Sequence, residues 1–194
     1  YEDIQDIEGR LIIKEYPTKS ASTHTLKTHL ERLRMKDIAI DMIIVDYADL
    51  LRPVIAQREK RNELESIYEE LRGLAQEYKC PIWTASQTNR SGLNAEVITM
   101  ESISEAFNKC FVSDFIFSIS RTIEDKQTNT GRVFVAKNRN GPDGMVYPLF
   151  MDTSNVCIKV LDGAIDSEEN GVNAQTQKQK LAEKYKRFKK NNGG

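Results

Sequence analysis

Three observations predict an α/β fold built on a mostly parallel sheet with an antiparallel hairpin edge. Short apolar runs alternate with helical stretches from Leu11 to Ile119. One run, Met42 to Tyr47, is apolar without alternation, the pattern of a strand covered on both faces. Past Ile119 the style changes, and three strand-like runs succeed one another with no helix between them.

In chain order, Leu11 to Tyr16 is a short apolar run stopped by Pro17 and is expected to be the first strand. Ser20 or Ser22 is placed to cap the next helix, with Leu26, Leu30 and Leu33 at helical spacing. After the Met42 strand, Asn62 to Tyr78 is the clearest helix. Leu64, Ile67, Tyr68, Leu71, Leu74, Ala75 and Tyr78 form one stripe, and Glu63, Glu65, Glu69, Glu70 and Arg72 lie opposite. Pro81 to Ser86 is a further strand, and Trp83 within it is expected in the core rather than as a platform for stacked bases. A weak helix is expected near Glu101 to Asn108, then a fourth strand from Asp114 to Ile119. The strands at Leu11, Met42, Pro81 and Asp114 are expected to be mutually parallel. Arg132 to Lys137, Met145 to Met151 and Val156 to Leu161 complete the sheet, the first two joined through the turn Asn140-Gly141-Pro142-Asp143-Gly144.

Composition bounds the function. The 194 residues suffice for one domain with a real core, and 39% hydrophobic with 29% charged residues fits a globular chain with a wet surface. Lys+Arg is 28 against Asp+Glu 29, a net charge of -1, which excludes binding to polyanions by bulk charge. No apolar run approaches the ~20 residues that span a bilayer, and no signal-peptide pattern opens the chain. Cys80, Cys110 and Cys157 are too few and scattered for a disulfide framework or zinc knuckle, which points to a reduced, cytoplasmic setting. His24 and His29 lack metal-ligand spacing and read as polar helix residues. Cys80 and Cys110 read as small buried hydrophobes.

Chemistry enters at two strand ends. An apolar strand ending in Asp46 is the pattern of a Walker B element, which delivers a carboxylate to the C-terminal sheet edge to hold a magnesium-bound water. Such an aspartate serves equally well as a loop cap, so alone it decides nothing. Gln87 stands just past the next strand, where a neutral amide can sense a terminal phosphate or its attacking water. Taken alone it is an ordinary surface glutamine; beside Asp46 on an adjacent parallel strand it acquires a role. Lys137 and Arg139 are two apart on a strand, so they share a face and can converge on one anion.

Val45-Asp46-Tyr47, Ser86-Gln87 with Asn89-Arg90-Ser91, and Lys137-Asn138-Arg139-Asn140-Gly141-Pro142 occur in that order. Together they resemble the RecA-like ATPase domain of DnaB-type replicative hexameric helicases, a three-layer α/β sandwich. Leu71-Arg72-Gly73-Leu74-Ala75 followed by Trp83-Thr84-Ala85 is closer to the phage branch. The resemblance implies that Asp46 is the Walker B aspartate, holding Mg²⁺ through water, and Gln87 the sensor. It implies that Lys137 and Arg139 reach the γ-phosphate of ATP in the neighbouring subunit, the arginine as finger. Met100, Glu105 and Asp114 match in register within the region of the family's DNA-facing loops, and Asn89, Arg90 and Glu105 are its candidate DNA contacts here. Ser104, Phe107 and Phe111 depart from the bacterial pattern there. Partners implied are further copies in a hexameric ring, single-stranded DNA and a primase, and no membrane.

No G-x-x-x-x-G-K-[ST] occurs in the sequence. In the family that phosphate-cradling loop and the catalytic glutamate lie upstream of the strand matching Leu11 to Tyr16. The chain is therefore expected to be the C-terminal part of a helicase subunit. Residues 1–163 are expected to form a partial RecA-like domain and 164–194 a polar tail, helical in part and rich in lysine between Gln175 and Lys190. Two other readings stay open at this point. One is a binding or assembly module without a P-loop. The other is a recombinase-type relative, which shares the Asp46 strand but lacks the K-x-R-N-G-P hairpin.

Overall fold

The computed structural model describes residues 9–88, 97–98, 108–161, 165–166, 183, 185–187 and 190. Helix α1 (Thr23–Arg34) starts where Ser22 closes a capping box with Thr25. Strand β1 (Ile43–Val45) leads into a 3₁₀ turn at Ala48–Leu50 and then helix α2 (Lys60–Tyr78). Leu64, Ile67, Tyr68, Leu71 and Leu74 are the buried stripe of α2, each burial contributing about 1.5–3 kcal/mol. The helix ends at Lys79 in the left-handed conformation, with its amide bonded to the carbonyls of Ala75 and Gln76. Strand β2 (Ile82–Thr84) follows and pairs parallel with β1, Ile43 opposite Ile82 and Val45 opposite Thr84. Val45, Ala48, Ile67, Tyr68, Leu71 and Leu74 make the core between these strands and α2, with Leu26 and Val112 packed against it.

After α3 (Asn108–Val112) the strands form a second sheet, antiparallel throughout. Strand β3 (Phe115–Ser120) pairs with β4 (Thr130–Asn138), β4 with β5 (Met145–Asp152), and β5 with β6 (Cys157–Val160). The short β7 (Ile165–Asp166) adds to β5. Between β4 and β5 the expected turn forms: Gly144 takes φ 78° and donates its amide to Val135 at 2.8 Å. Helix α4 (Ile123–Thr128) is held by a Thr122–Asp125 capping box. Asp125 also accepts from Arg132 at 2.7 Å, in a pair that is about nine-tenths buried. From the tail, the Tyr185 hydroxyl donates to the carbonyl of Gly131 and accepts from its amide at 3.3 Å. Residues 183, 185–187 and 190 are helical.

Four expectations are corrected. Residues 11–16 form no strand; Leu11 is 84% and Ile13 82% exposed, because no neighbouring strand among the described residues offers a ladder to pair with. The strands do not form one mostly parallel sheet but two sheets. The parallel one is the β1–β2 pair, and β3, expected as a parallel strand beside them, belongs to the antiparallel sheet, its ladder with β4 running from Phe115↔Asn138 to Ser120↔Arg132. Third, β1 is covered on one face by α2, while Ile44 on the other face is 70% exposed. Trp83, which pairs with Ile44, shares that open face and so is not in the core. It packs edge-on against Phe115 and Phe117 of β3, ring centroids 6.0 Å apart in each case. The helix expected near Glu101 to Asn108 lies outside the described residues except for its end, where α3 begins.

Candidate functional site

Because β1 and β2 run parallel, their C-terminal ends open onto one sheet edge, the usual place for a ligand in an α/β sheet. Asp46 follows β1 directly and is exposed; Gln87 follows β2 by three residues and is exposed too. Thr84 clamps the two ends together. Its hydroxyl donates to the Val45 carbonyl and accepts from the Ala48 amide, both at 2.9 Å. Gln87 Nε2 then donates to the hydroxyl of Tyr47, the residue after Asp46, at 3.0 Å. The Asp46–Tyr47 peptide is cis. The structure thus brings Asp46 and Gln87 to the same edge, linked through Tyr47.

Behind this edge lies a polar knot that sequence reasoning missed. Lys109 of α3 is 2% exposed. Its ammonium donates to Asp49 Oδ2 at 3.1 Å and to Ser86 Oγ at 2.5 Å, and it stands 5.7 Å from the ring centroid of Tyr68. The Tyr68 hydroxyl donates to Asp49 Oδ1 at 2.9 Å. Burial first, then the charge of Asp49, pushes the Tyr68 hydroxyl far above its ordinary pKa, so it stays a neutral donor. A lysine in a polar, aperiodic stretch reads as solvated, and no sequence signal marks its burial.

Lys137 and Arg139, at the far end of β4, converge as their spacing predicts, here on the last carbonyls of α3. Lys137 Nζ donates to Cys110 O at 2.7 Å and Phe111 O at 3.2 Å; Arg139 Nη2 donates to Phe111 O at 2.6 Å. Asp114 lies 3.4 Å from Arg139 and 2.9 Å from Arg72, whose guanidinium also donates to Val112 O. Carbonyls at a helix C-terminus and a nearby carboxylate favour such cations. Burial, then the adjacent Arg139 charge, holds the Lys137 pKa below its ordinary value. Asn89, Arg90 and Glu105 lie outside the described residues.

The donor set suits Mg²⁺. Asp46 offers one exposed carboxylate, and magnesium is commonly held by one or two carboxylates with water and substrate phosphates completing the shell. Among the described residues no group of three His, Cys, Asp or Glu side chains forms a cage for a metal. None of the described helices is long and apolar enough to cross a membrane.

A DnaB-like replicative helicase of Enterobacteria phage T4 is 27% identical over 187 residues, which is 94% of this chain and 39% of that protein. A probable replicative DNA helicase of Trieres chinensis is 23% identical over 144 residues, 69% of this chain and 31% of that protein. The chain therefore spans well under half the length of these relatives. Among solved structures, one described as an ATPase domain superposes with a TM-score of 0.64 at 20% identity, covering 73% of this chain and 52% of that one. A DnaB-like replicative helicase, solved in a study of its interactions with primase, gives 0.61 at 21% identity, covering 69% and 34%. Both likenesses concern the fold, which is that of helicase ATPase domains. Residues 2–156 match the family described as DnaB-like helicase C terminal domain, and the chain belongs to that family.

Proposed function

We propose that this chain works as part of an ATP-driven replicative DNA helicase, a ring of six subunits around single-stranded DNA that acts beside a primase in the cytoplasm of a bacterium or a phage-infected host. The observation that carries the reading is the shared edge at the ends of β1 and β2, where Asp46 follows one strand and Gln87, past the other, donates to the hydroxyl of the adjacent Tyr47. The finger hairpin of β4 and β5 supports it over a recombinase-type relative, since Lys137 and Arg139 are held side by side at its end.

In this reading Asp46 would hold Mg²⁺ through a water, and Gln87 would sense the terminal phosphate or its attacking water. Lys137 and Arg139 act on the nucleotide of the adjoining subunit, where the guanidinium stabilises charge that develops as the phosphoryl group transfers. Magnesium, when bound with ATP, supplies neutralisation of the β- and γ-phosphate oxygens. Asn89, Arg90 and Glu105 contribute DNA contacts.

The test is ATP hydrolysis and unwinding of a forked duplex by the full-length protein. Hydrolysis stimulated by single-stranded DNA is expected; full-length protein that hydrolyses no ATP under any DNA condition would put the non-enzymatic module in its place. The 194 residues by themselves should show no measurable hydrolysis and only weak binding of Mg-ATP. Their sequence holds no G-x-x-x-x-G-K-[ST] loop, the motif whose backbone amides and lysine cradle the phosphates. Calorimetry that found micromolar binding to this chain would contradict that expectation.

A further inference from the structure

Lys109 is the one fully buried ammonium among the described residues, and burying it costs several kcal/mol before any partner compensates. An apolar residue of the same length would fill the space more cheaply. Its partners come from three separate elements. Asp49 belongs to the 3₁₀ turn three residues past Asp46, Ser86 precedes Gln87, and Tyr68 projects from α2. The knot closes on itself, since Ser86 Oγ also lies 3.1 Å from Asp49 Oδ2 and the Tyr68 hydroxyl holds the other oxygen of Asp49. One and two residues after Lys109, the α3 carbonyls of Cys110 and Phe111 receive Lys137 and Arg139.

A single ammonium therefore refers the Asp46 turn, the Gln87 strand end and the seat of the finger pair to one point. Each of these otherwise hangs on a short element: β1 and β2 have three residues each and α3 has five. We propose that Lys109 is a positioning residue for the nucleotide reaction, fixing Ser86–Gln87 against the Asp46 turn and setting α3, with Lys137 and Arg139 on its carbonyls, in the same frame. The proposal rests on the helicase reading given above.

Steady-state ATP hydrolysis by the full-length protein, read together with thermal melting, tests it. Lys109→Met leaves Asp49 charged, buried in part and short of its partner, so it lowers the melting temperature. Asp49→Asn with Lys109→Met removes both charges and is expected to recover most of that loss. Turnover should not recover with it. In the double variant kcat is expected to stay about 10²-fold down, the scale of an ångström-level misplacement, with KM for ATP little changed because ground-state contacts persist. Ser86→Ala offers a gentler route: Ser86 is exposed, so folding survives, and kcat should fall about tenfold with KM again steady. Wild-type kcat in Ser86→Ala, or in the double variant once its melting temperature has recovered, would reduce Lys109 to a structural lysine and overturn the proposal. A wild-type protein without ATP hydrolysis would instead remove the helicase reading, and the proposal with it.

Discussion

Replacing Arg139 by alanine in the full-length protein is expected to lower ATP turnover by about 10³-fold or more while leaving nucleotide binding largely intact. An arginine supplied to a neighbour's nucleotide meets charge that exists only as the phosphoryl group moves, so its loss falls on kcat. Arg139 is 45% exposed at the end of its hairpin, and its guanidinium and the Lys137 ammonium already share one acceptor, the Phe111 carbonyl. Mixed rings sharpen the test. Arg139→Ala subunits combined with Asp46→Ala subunits should regain some turnover, since some interfaces then join an intact Asp46 site to an intact finger. Tight coupling around the ring would keep that recovery small, so the decisive measurement is the single variant. Wild-type turnover in Arg139→Ala would return Lys137 and Arg139 to the status of a basic strand edge.

The largest expected loss of stability comes from Asp125→Ala. Asp125 caps α4 through Thr122, accepts from Thr130 at 3.1 Å, and pairs with the buried Arg132. Truncation leaves that guanidinium buried without its carboxylate, a situation that costs about 3–5 kcal/mol, and removes the capping interaction as well. Chemical denaturation at neutral pH measures the loss. Acid supplies a second readout. Burial works to raise the Asp125 pKa, but the hydrogen bonds from Thr122 and the charge of Arg132 outweigh it, and the net shift is downward. A carboxyl whose pKa is lower folded than unfolded adds its full stability above the unfolded value. That contribution is lost as pH falls through the folded one. The gap between wild type and Asp125→Ala should therefore be widest at neutral pH and shrink below the ordinary carboxylate range.

The placement of the candidate site residues was legible in part, because they sit at strand ends that periodicity can locate. Asp46 and Gln87 follow two short runs bounded by turn or helix signals, and the parallel pairing of those runs puts both residues at one edge. The β4–β5 hairpin was legible through its turn, where Gly144 adopts the positive φ that a glycine permits. Coverage was not legible. The run at Met42 to Tyr47 carries the apolar character of a doubly buried strand, yet burial depends on what lies above Ile44, which no local pattern encodes. The same holds for residues 11–16, whose composition suits a strand but whose ladder needs a neighbour. Helix α4, six residues long, is too short to show a period, although Thr122 and Asp125 at capping-box spacing marked its start. Lys109 was hidden for a different reason: its burial is compensated by Asp49, Tyr68 and Ser86, which lie 60, 41 and 23 residues away in sequence.

The open face formed by Ile44, Trp83, Phe115, Phe117 and Ile119 gives the chain a built-in optical reporter. Trp83 is the single tryptophan of the sequence, 38% exposed and in edge contact with two phenylalanines of that face. Its fluorescence therefore comes from one place and senses one event, the arrival or departure of whatever lies over these rings. In the 194-residue chain the emission should be red-shifted and open to quenching by acrylamide or iodide. Whenever the face is covered, by another part of a longer polypeptide or by a second molecule, the emission should move to the blue and the quenching should fall. A net charge of only -1 does little to hold molecules apart, so the same signal, followed against protein concentration, would also register the onset of self-association through this apolar surface.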